Sequence, residues 1–196
     1  MKVPFSDYAW GAGAATGLVN TSALVRTAAG EILTDPAALA DFLVEHGLRT
    51  GPAARLPSED DLARVLALRQ ETRALLEAED ENDVADGANG LVARVATRAA
   101  LLRDDAGRWQ WHLVTPPGCS DAEELAVLIG TGLLGVLHTL GHDRFRPCSS
   151  PVCHGLFVDT SKAGRRRYCM PGLCGNRLNV ASHRARRQAG ERPPAG

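Results

Sequence analysis

The feature that most constrains the fold is the placement of four of the five cysteines in one short stretch of the chain. Cys148 and Cys153 form one C-x4-C pair, Cys169 and Cys174 form another, and fifteen residues separate the pairs. A zinc ion binds four thiolates tetrahedrally at about 2.3 Å, so its ligands must come from two short segments whose turns aim both sulfurs at one point. The spacing therefore predicts one structural zinc ion. Two disulfides, or an iron–sulfur or redox-sensing dithiol set, are the alternatives.

A zinc site would also explain how so short a segment can fold. Residues 144–188 contain few large apolar side chains, too few for an independent hydrophobic core. A closed four-cysteine site contributes on the order of 10 kcal/mol of apparent folding free energy, which offsets that deficit. Because four protein ligands leave no open coordination position, the same pattern argues against a hydrolytic zinc enzyme.

The residues around the cysteine pairs predict a compact module. The segments GLFVD and RRRYC flank the turn TSKAG and are typical of two short strands in a hairpin. After the second pair, GNRLNVASHRARRQAG is typical of a helix with Asn176 as its N-cap. We call the turn that carries Cys148 and Cys153 the first knuckle and the turn that carries Cys169 and Cys174 the second knuckle. The order of first knuckle, hairpin, second knuckle and helix predicts a treble-clef-like four-cysteine zinc module.

Charge is strongly divided along the chain. Residues 1–143 carry 11 Lys and Arg against 21 Asp and Glu, a balance of −10, whereas residues 144–196 carry 11 against 2, a balance of +9. Such a basic segment favours a polyanionic partner, although a solvated tail is the simpler alternative. Arginines on the predicted strand and helix would form a phosphate-binding surface. The predicted DNA contacts are Arg165, Arg166, Arg167, Asn176, Arg177, His183, Arg184, Arg186 and Arg187.

The N-terminal part has the pattern of a helix-rich α+β domain. AATGLVNTSALV is apolar but ambiguous between helix and strand. TDPAALADFLVEHGL predicts a helix capped by Thr34 or Asp35, and a clearer helix begins at a capping-box-like Ser58 and runs to about Glu79. The polar stretch EDENDVADG then predicts a break, followed by a helix over about residues 90–100.

Further along, the sequence predicts a β-hairpin and a long central helix. AALLR and RWQWHLV flank DDAG, which is typical of a hairpin with a short loop, and Trp109 and Trp111 would share one face of it. SDAEELAVLIGTGLLGVLHTLGH predicts a helix capped by Ser120 and apolar around most of its circumference. We expect this helix to be central and the domain to end near Asp143.

The cysteine segment and the part before it both resemble known families. PCSSPVCHGLFVDTSKAGRRRYCMPGLCGNR resembles the CGNR zinc finger, with the motif itself at Cys174-Gly175-Asn176-Arg177. The preceding part is similar, through GLVNTSAL and TDPAALADFLVEHGL, to the ABATE domain that usually precedes this finger. Gly17 stands where the resemblance leads us to expect an acidic residue. We therefore expect an ABATE-like α+β domain over 1–143, a CGNR-type zinc finger over 144–188 and a flexible tail over 189–196.

The resemblance implies a bacterial, stress-induced transcription regulator whose finger binds DNA and whose ABATE domain senses a ligand. Asn20 and Thr21 are the predicted ligand-binding residues, and Arg69, Arg73 and one of the tryptophans at 109 and 111 are further lining candidates. The alternative is a protein-interaction or dimerisation module without direct DNA binding, whose basic face could dock on the acidic domain of its own chain. Because no nucleophile–base set or phosphate loop is visible, we expect no enzymatic activity.

The N-terminal residues indicate where in the cell the protein is located. The first 25 residues carry one Lys, and their least polar run, YAWGAGAATGLV, is interrupted by glycines and small residues, which argues against a signal peptide or membrane span. We expect a cytoplasmic protein with no membrane partner. A homodimer is possible. Cys119 has no paired partner in the sequence, and an ordinary loop thiol is favoured there over a reactive one.

Overall fold

The computed structural model describes residues 1–26, 29–49, 56–104 and 106–175. Within these ranges the chain forms an α+β fold, helix-rich in its N-terminal part, as the sequence predicts. The helices are α1 (Tyr8–Val19), α2 (Pro36–Glu45), α3 (Glu59–Glu77), α4 (Glu81–Val92) and α5 (Asp121–Leu140). The strands are β1 (Lys2–Pro4), β2 (Arg98–Arg103), β3 (Trp109–Val114), β4 (Phe145–Pro147) and β5 (Leu156–Val158). The predicted helix after the second cysteine pair lies outside the described residues.

Helix α5 is the centre of the N-terminal part. Ser120 and Glu123 form a reciprocal capping box at its start, and α1 and α4 pack against it. A Cβ added to Gly132 would lie 2.5 Å from the Cα of Gly11, so α1 and α5 approach each other through glycines on both helices. Within the described ranges, α5 is the one helix long and apolar enough to cross a membrane by length and composition. Its burial between neighbouring helices accounts for that apolar character.

Three further helix starts follow local signals. The first part of the ambiguous apolar segment belongs to helix α1, where the Asp7 side chain accepts a hydrogen bond from the backbone N–H of Trp10. The predicted helix α2 is confirmed and is capped by Asp35. Helix α3 is also confirmed and has the expected capping box, made by Ser58 and Asp61. These signals place helix starts well because the capping groups lie within one turn of the N–H groups they satisfy.

The prediction around α4 is wrong. The expected polar break is itself helical from Glu81, and the chain is a β-strand by Arg98, where a helix was expected. Asp80 caps the helix, and Val84, Ala88 and Leu91 form one buried stripe against α5. The many polar residues of this segment belong to the exposed faces of an amphipathic helix.

The structure contains a three-stranded sheet in the order β1-β3-β2 and a two-stranded sheet of β4 and β5, both antiparallel. The predicted hairpin of β2 and β3 is confirmed. The hairpin expected in the cysteine module is wrong, because β5 pairs with β4 and residues 165–169 are not a strand. The Asp159 carboxylate accepts hydrogen bonds from the backbone N–H groups of Ser161 and Arg166, which folds the intervening chain into a loop.

Strand β5 belongs to two cores at once. Leu156 and Val158 lie in the same apolar cluster as the buried residues of α1, α2 and α5. Phe157, between them, points to the opposite side and packs with Cys148 and Cys169. The hydrophobic core of the N-terminal part therefore continues past residue 143 into the cysteine module.

Candidate metal centre and the surfaces around it

Two turns bring the four cysteines together. The Sγ atoms of Cys148, Cys153, Cys169 and Cys174 all lie within 4.8 Å of one another. The Cys153–Cys169, Cys169–Cys174 and Cys153–Cys174 Sγ separations are 3.6, 3.8 and 3.7 Å. Zn–S bonds of about 2.3 Å in a tetrahedron place neighbouring sulfurs about 3.8 Å apart. The cluster therefore fits one tetrahedral zinc, and these separations are far longer than a disulfide bond of about 2.05 Å.

Backbone hydrogen bonds shape the first knuckle. The N–H of Cys148 donates to the carbonyl of Gly155 over 2.8 Å, and the N–H of Cys153 donates to that of Ser150 over 3.0 Å. The N–H of Gly155 then points back to Cys153 Sγ over 3.3 Å. An N–H aimed at a sulfur supports it as a thiolate, so the turn prepares this ligand for a cation.

The second knuckle comprises residues 169–175 and contains one wide helical turn over residues 171–175. The N–H of Cys174 donates to the carbonyl of Met170 over 2.8 Å, which aims its sulfur toward the first knuckle. The two knuckles are also joined directly, because the N–H of Ser149 donates to the carbonyl of Arg167 over 2.8 Å.

Two of the four thiols, those of Cys169 and Cys174, resist ionisation. Burial, and then the neighbouring Cys148, raises the pKa of Cys169 well above its usual value. Burial and the hydrogen bond with Cys153 raise the pKa of Cys174 to about 11. Burial also opposes ionisation of Cys148, but N–H groups of Cys169 and Ser150 hold its pKa below the usual value. Cys169 and Cys174 therefore hold their protons more tightly than usual, and a divalent cation would displace those protons on binding, as in a thiolate zinc site.

Asn20 connects helix α1 to this module. Its side-chain amide donates to the carbonyl of Leu156 over 2.6 Å and accepts from the N–H of the same residue over 3.2 Å. It also donates to the carbonyl of Thr16 over 2.7 Å, and the Thr16 hydroxyl accepts from the N–H of Val158 over 3.1 Å. Asn20 is 3% exposed, so both of its amide N–H donors are used inside the protein.

Gly155 lies between Asn20 and the cysteine cluster. A Cβ at this position would be 2.5 Å from Cys169 Sγ and 2.6 Å from Asn20 Oδ1. No side chain fits without displacing one of these atoms, so the close approach of α1 to the metal site depends on glycine.

Asn20 and Thr21, the predicted ligand-binding residues, also line a cleft of about 340 Å³ between α1, α2 and the second knuckle. Phe42 and His46 line it from α2, and Met170 lines it from the knuckle. Burial lowers the pKa of His46, although Glu45 acts in the opposite direction, and this favours the neutral imidazole. Both parts of the chain contribute to this cleft.

Gly17 gives His46 its position. A Cβ at Gly17 would lie 2.4 Å from His46 Nε2, so the imidazole fills space that any side chain at position 17 would need. Where the resemblance led us to expect an acidic residue, the chain instead has a neutral ring at the wall of the cleft.

The other lining candidates lie in three places. Arg69 donates to the Thr21 hydroxyl over 3.0 Å and to both carboxylate oxygens of Glu31. Arg73 donates to the carbonyl of His154 over 3.0 Å and so joins α3 to the first knuckle. Trp109 and Trp111 lie on the three-stranded sheet and are not among the residues that line the cleft.

The three predicted DNA-contacting arginines of the loop differ in placement. Arg165 and Arg167 are exposed. Arg166 turns inward: its guanidinium donates to the carbonyls of Tyr168 and Cys169 and lies 4.8 Å from the centre of the Phe157 ring. Arg166 therefore holds the turn that carries Cys169, with its guanidinium directed inward instead of away from the protein. The other predicted DNA contacts, Asn176, Arg177, His183, Arg184, Arg186 and Arg187, lie outside the described residues.

Cys119 has the environment of an ordinary thiol. Its S–H donates to the carbonyl of Pro116 over 3.3 Å. Burial, followed by the nearby carboxylates of Glu123 and Glu124, raises its pKa. A thiol whose pKa is raised is a poor nucleophile at neutral pH, which agrees with the unreactive alternative.

Several residues of the site could not be recognised from the sequence alone. Asp159, Thr16 and Gly155 act through partners that are distant in sequence or through the absence of a side chain. The pattern GLFVD gave one local signal, because an Asp directly after a strand often accepts hydrogen bonds from the turn that follows.

The fold and the cysteine cluster define a helix-rich domain joined to a structural zinc finger. A family model described as "Putative stress-induced transcription regulator", the ABATE family, matches residues 13–140. A second family model, the CGNR zinc finger, matches residues 144–187. The chain belongs to the ABATE family and carries a CGNR zinc finger with one structural zinc. No curated protein matches it, and neither family description names an enzyme.

Proposed function

We propose that the chain is a transcription regulator that binds DNA through its zinc finger. The observation that carries the proposal is the pair of exposed guanidinium groups, Arg165 and Arg167, on the loop that leads into the second knuckle. Neither forms an ion pair within the described part of the chain. The loop is held at both ends, by Asp159 and by the zinc ligand Cys169, so the two arginines are presented from a fixed base.

Binding to duplex DNA at several salt concentrations tests the proposal with the full zinc-loaded chain. The logarithm of the binding constant falls with log salt by about 0.9 per neutralised phosphate. The R165A/R167A double variant should therefore bind more weakly, with a slope smaller in magnitude by about 1 to 2.

The control variant is R64A, which removes an exposed arginine of α3 that pairs with Asp60. It should bind DNA like the parent chain. Absence of duplex binding by the zinc-loaded chain, or binding that does not depend on salt, would contradict the proposal and favour the protein-interaction alternative.

The described contacts between the N-terminal part and the zinc module leave Arg165 and Arg167 uncovered. The two parts of the chain meet through Asn20, through Arg73 and through the apolar side chains of β5. Arg165 and Arg167 take no part in these contacts within the described ranges.

We also propose that the cleft beside Asn20 and Thr21 is the ligand-sensing site. Its support is that the second knuckle forms one wall, so that a bound molecule would touch both α2 and a neighbour of a zinc ligand. Arg26, Asp41 and Glu45 also line the cleft and offer groups of both charges. Fragment-sized amines and carboxylic acids, screened by NMR, should shift the signals of His46 and Met170 together. Hits that shift neither would contradict this assignment.

The proposed organisation keeps the expected boundaries. Residues 144–188 would act as the DNA-binding finger, and the tail expected over 189–196 lies outside the described residues. A regulator of this kind would work in the cytoplasm, where bacterial DNA lies.

A further inference from the structure

The three-stranded sheet carries an exposed aromatic face. Trp109 and Trp111 are 58% and 55% exposed, and Phe5 and Leu101 are 46% and 45% exposed. Leu101 lies opposite Trp111 in the ladder, and the N–H of Phe5 donates to the carbonyl of Trp111. These side chains therefore form one contiguous surface, which we call the tryptophan face. Contiguous exposed apolar surface of this kind marks an interaction site more often than chance.

The same sheet surface is covered at its other end. Val3, paired with Leu113, is only 1% exposed, and Leu113 packs against the main core. The sheet thus extends past the helices, and among the described residues no element covers the two indole rings at its far end. A cavity of about 440 Å³ lies there, lined by Phe5, Ser6, Arg108, Trp109, Gln110 and Trp111.

The charge at the tryptophan face is unlike that of the rest of the N-terminal part. The strands β1, β2 and β3 contain no Asp or Glu, whereas residues 1–143 as a whole have a balance of −10. The Arg103 guanidinium lies 4.3 Å from the centre of the Trp109 ring, and Arg108 lines the cavity while pairing with Asp104. Indole rings flanked by guanidinium groups suit a planar partner that carries negative charge.

We propose that the tryptophan face binds unpaired nucleobases of single-stranded nucleic acid. Bases stack on Trp109 and Trp111, and the phosphates between them are neutralised by Arg103 and by Arg108, which would exchange its Asp104 partner for a phosphate. This site is separate from the duplex-binding surface proposed for the finger and does not depend on it.

Fluorescence anisotropy of a labelled oligothymidine, titrated with the full zinc-loaded chain, tests the proposal. Because stacked bases bind largely through the aromatic rings, the W109A/W111A variant should lose tenfold or more in affinity. The W109F/W111F variant, which keeps aromatic rings, should lose less. V44A, which truncates another exposed apolar side chain, should bind like the parent.

The finger variant R165A/R167A distinguishes the two sites. It should retain oligothymidine binding even where its duplex binding is weakened. Absence of oligothymidine binding, equal binding by the parent and W109A/W111A, or complete loss in R165A/R167A would each overturn the proposal. A face that takes an acidic peptide instead would give the first of these results.

Discussion

At the scale of single residues, Gly155 has the tightest surroundings near the metal site. Its missing Cβ leaves room for both Cys169 Sγ and Asn20 Oδ1. A methyl group there would have to push either a zinc ligand or the amide that holds α1 to β5. The residue type at position 155 thus affects both the zinc ligand Cys169 and the contact between α1 and β5.

We expect G155A to lower the stability of the protein by about 1 to 3 kcal/mol and to weaken zinc retention. Thermal unfolding and the zinc content of the purified protein measure the two effects. G13A is the matched control, because Gly13 is itself exposed on α1 and a Cβ there has no neighbour within 4 Å. If G155A retained full zinc and unfolded like the parent, the close approach of Gly155 to Cys169 and Asn20 would not contribute to stability.

At the scale of elements, the loop after β5 replaces the strand that the sequence predicted. Its conformation depends on Asp159, which is fully buried and accepts from Ser161 and from the N–H of Arg166. Burial opposes ionisation of Asp159, but these hydrogen bonds and Arg146 hold its pKa below the usual value. A carboxyl group whose folded pKa is depressed stabilises the protein above its unfolded pKa, and that stability is lost as pH falls through the folded value.

We therefore expect the parent chain to lose stability below about pH 4, the usual pKa of an Asp. D159N should be less stable at pH 7 and should lose less of its remaining stability on acidification. Denaturant unfolding at several pH values checks this, with zinc content followed in parallel because acid also releases metal. Parallel pH profiles for the two proteins would show that Asp159 is not the titrating group.

The elements that could be predicted are those whose signals are local. Asp35, Ser58 and Ser120 each satisfy N–H groups within one turn, and each marks a helix start correctly. The four cysteines predicted their site because metal ligation demands one residue type at a suitable spacing. No local pattern predicts the contact of Asn20 with Leu156, because these residues are distant in sequence. The pairing of β4 with β5 depends on tertiary packing, which no local pattern encodes either.

At the scale of the whole molecule, zinc and the N-terminal core are connected through one strand. Phe157 packs with the cysteines, while Leu156 and Val158 pack with the helices. Asn20 adds hydrogen bonds to the same strand from α1. Loss of zinc should therefore also lower the stability of the N-terminal part.

We expect chelation of zinc to lower the melting temperature of the helical part, with fluorescence and circular dichroism reporting one shared transition. N20A should weaken this coupling, because it removes the buried hydrogen bonds to β5, at a cost of about 1 to 3 kcal/mol. N89A, an exposed position on α4, is the control. Helices that melt at the same temperature with and without zinc would contradict the coupling.

The alternation along β5 also limits how the finger can be moved between proteins. A fragment beginning at residue 144 would expose Leu156 and Val158, which are 5% and 1% exposed in the whole chain. The finger is therefore not a portable unit: a transplanted copy would need a host that offers an apolar surface and an amide in place of Asn20. Exchange of this finger between proteins by recombination should succeed only when α1 travels with it.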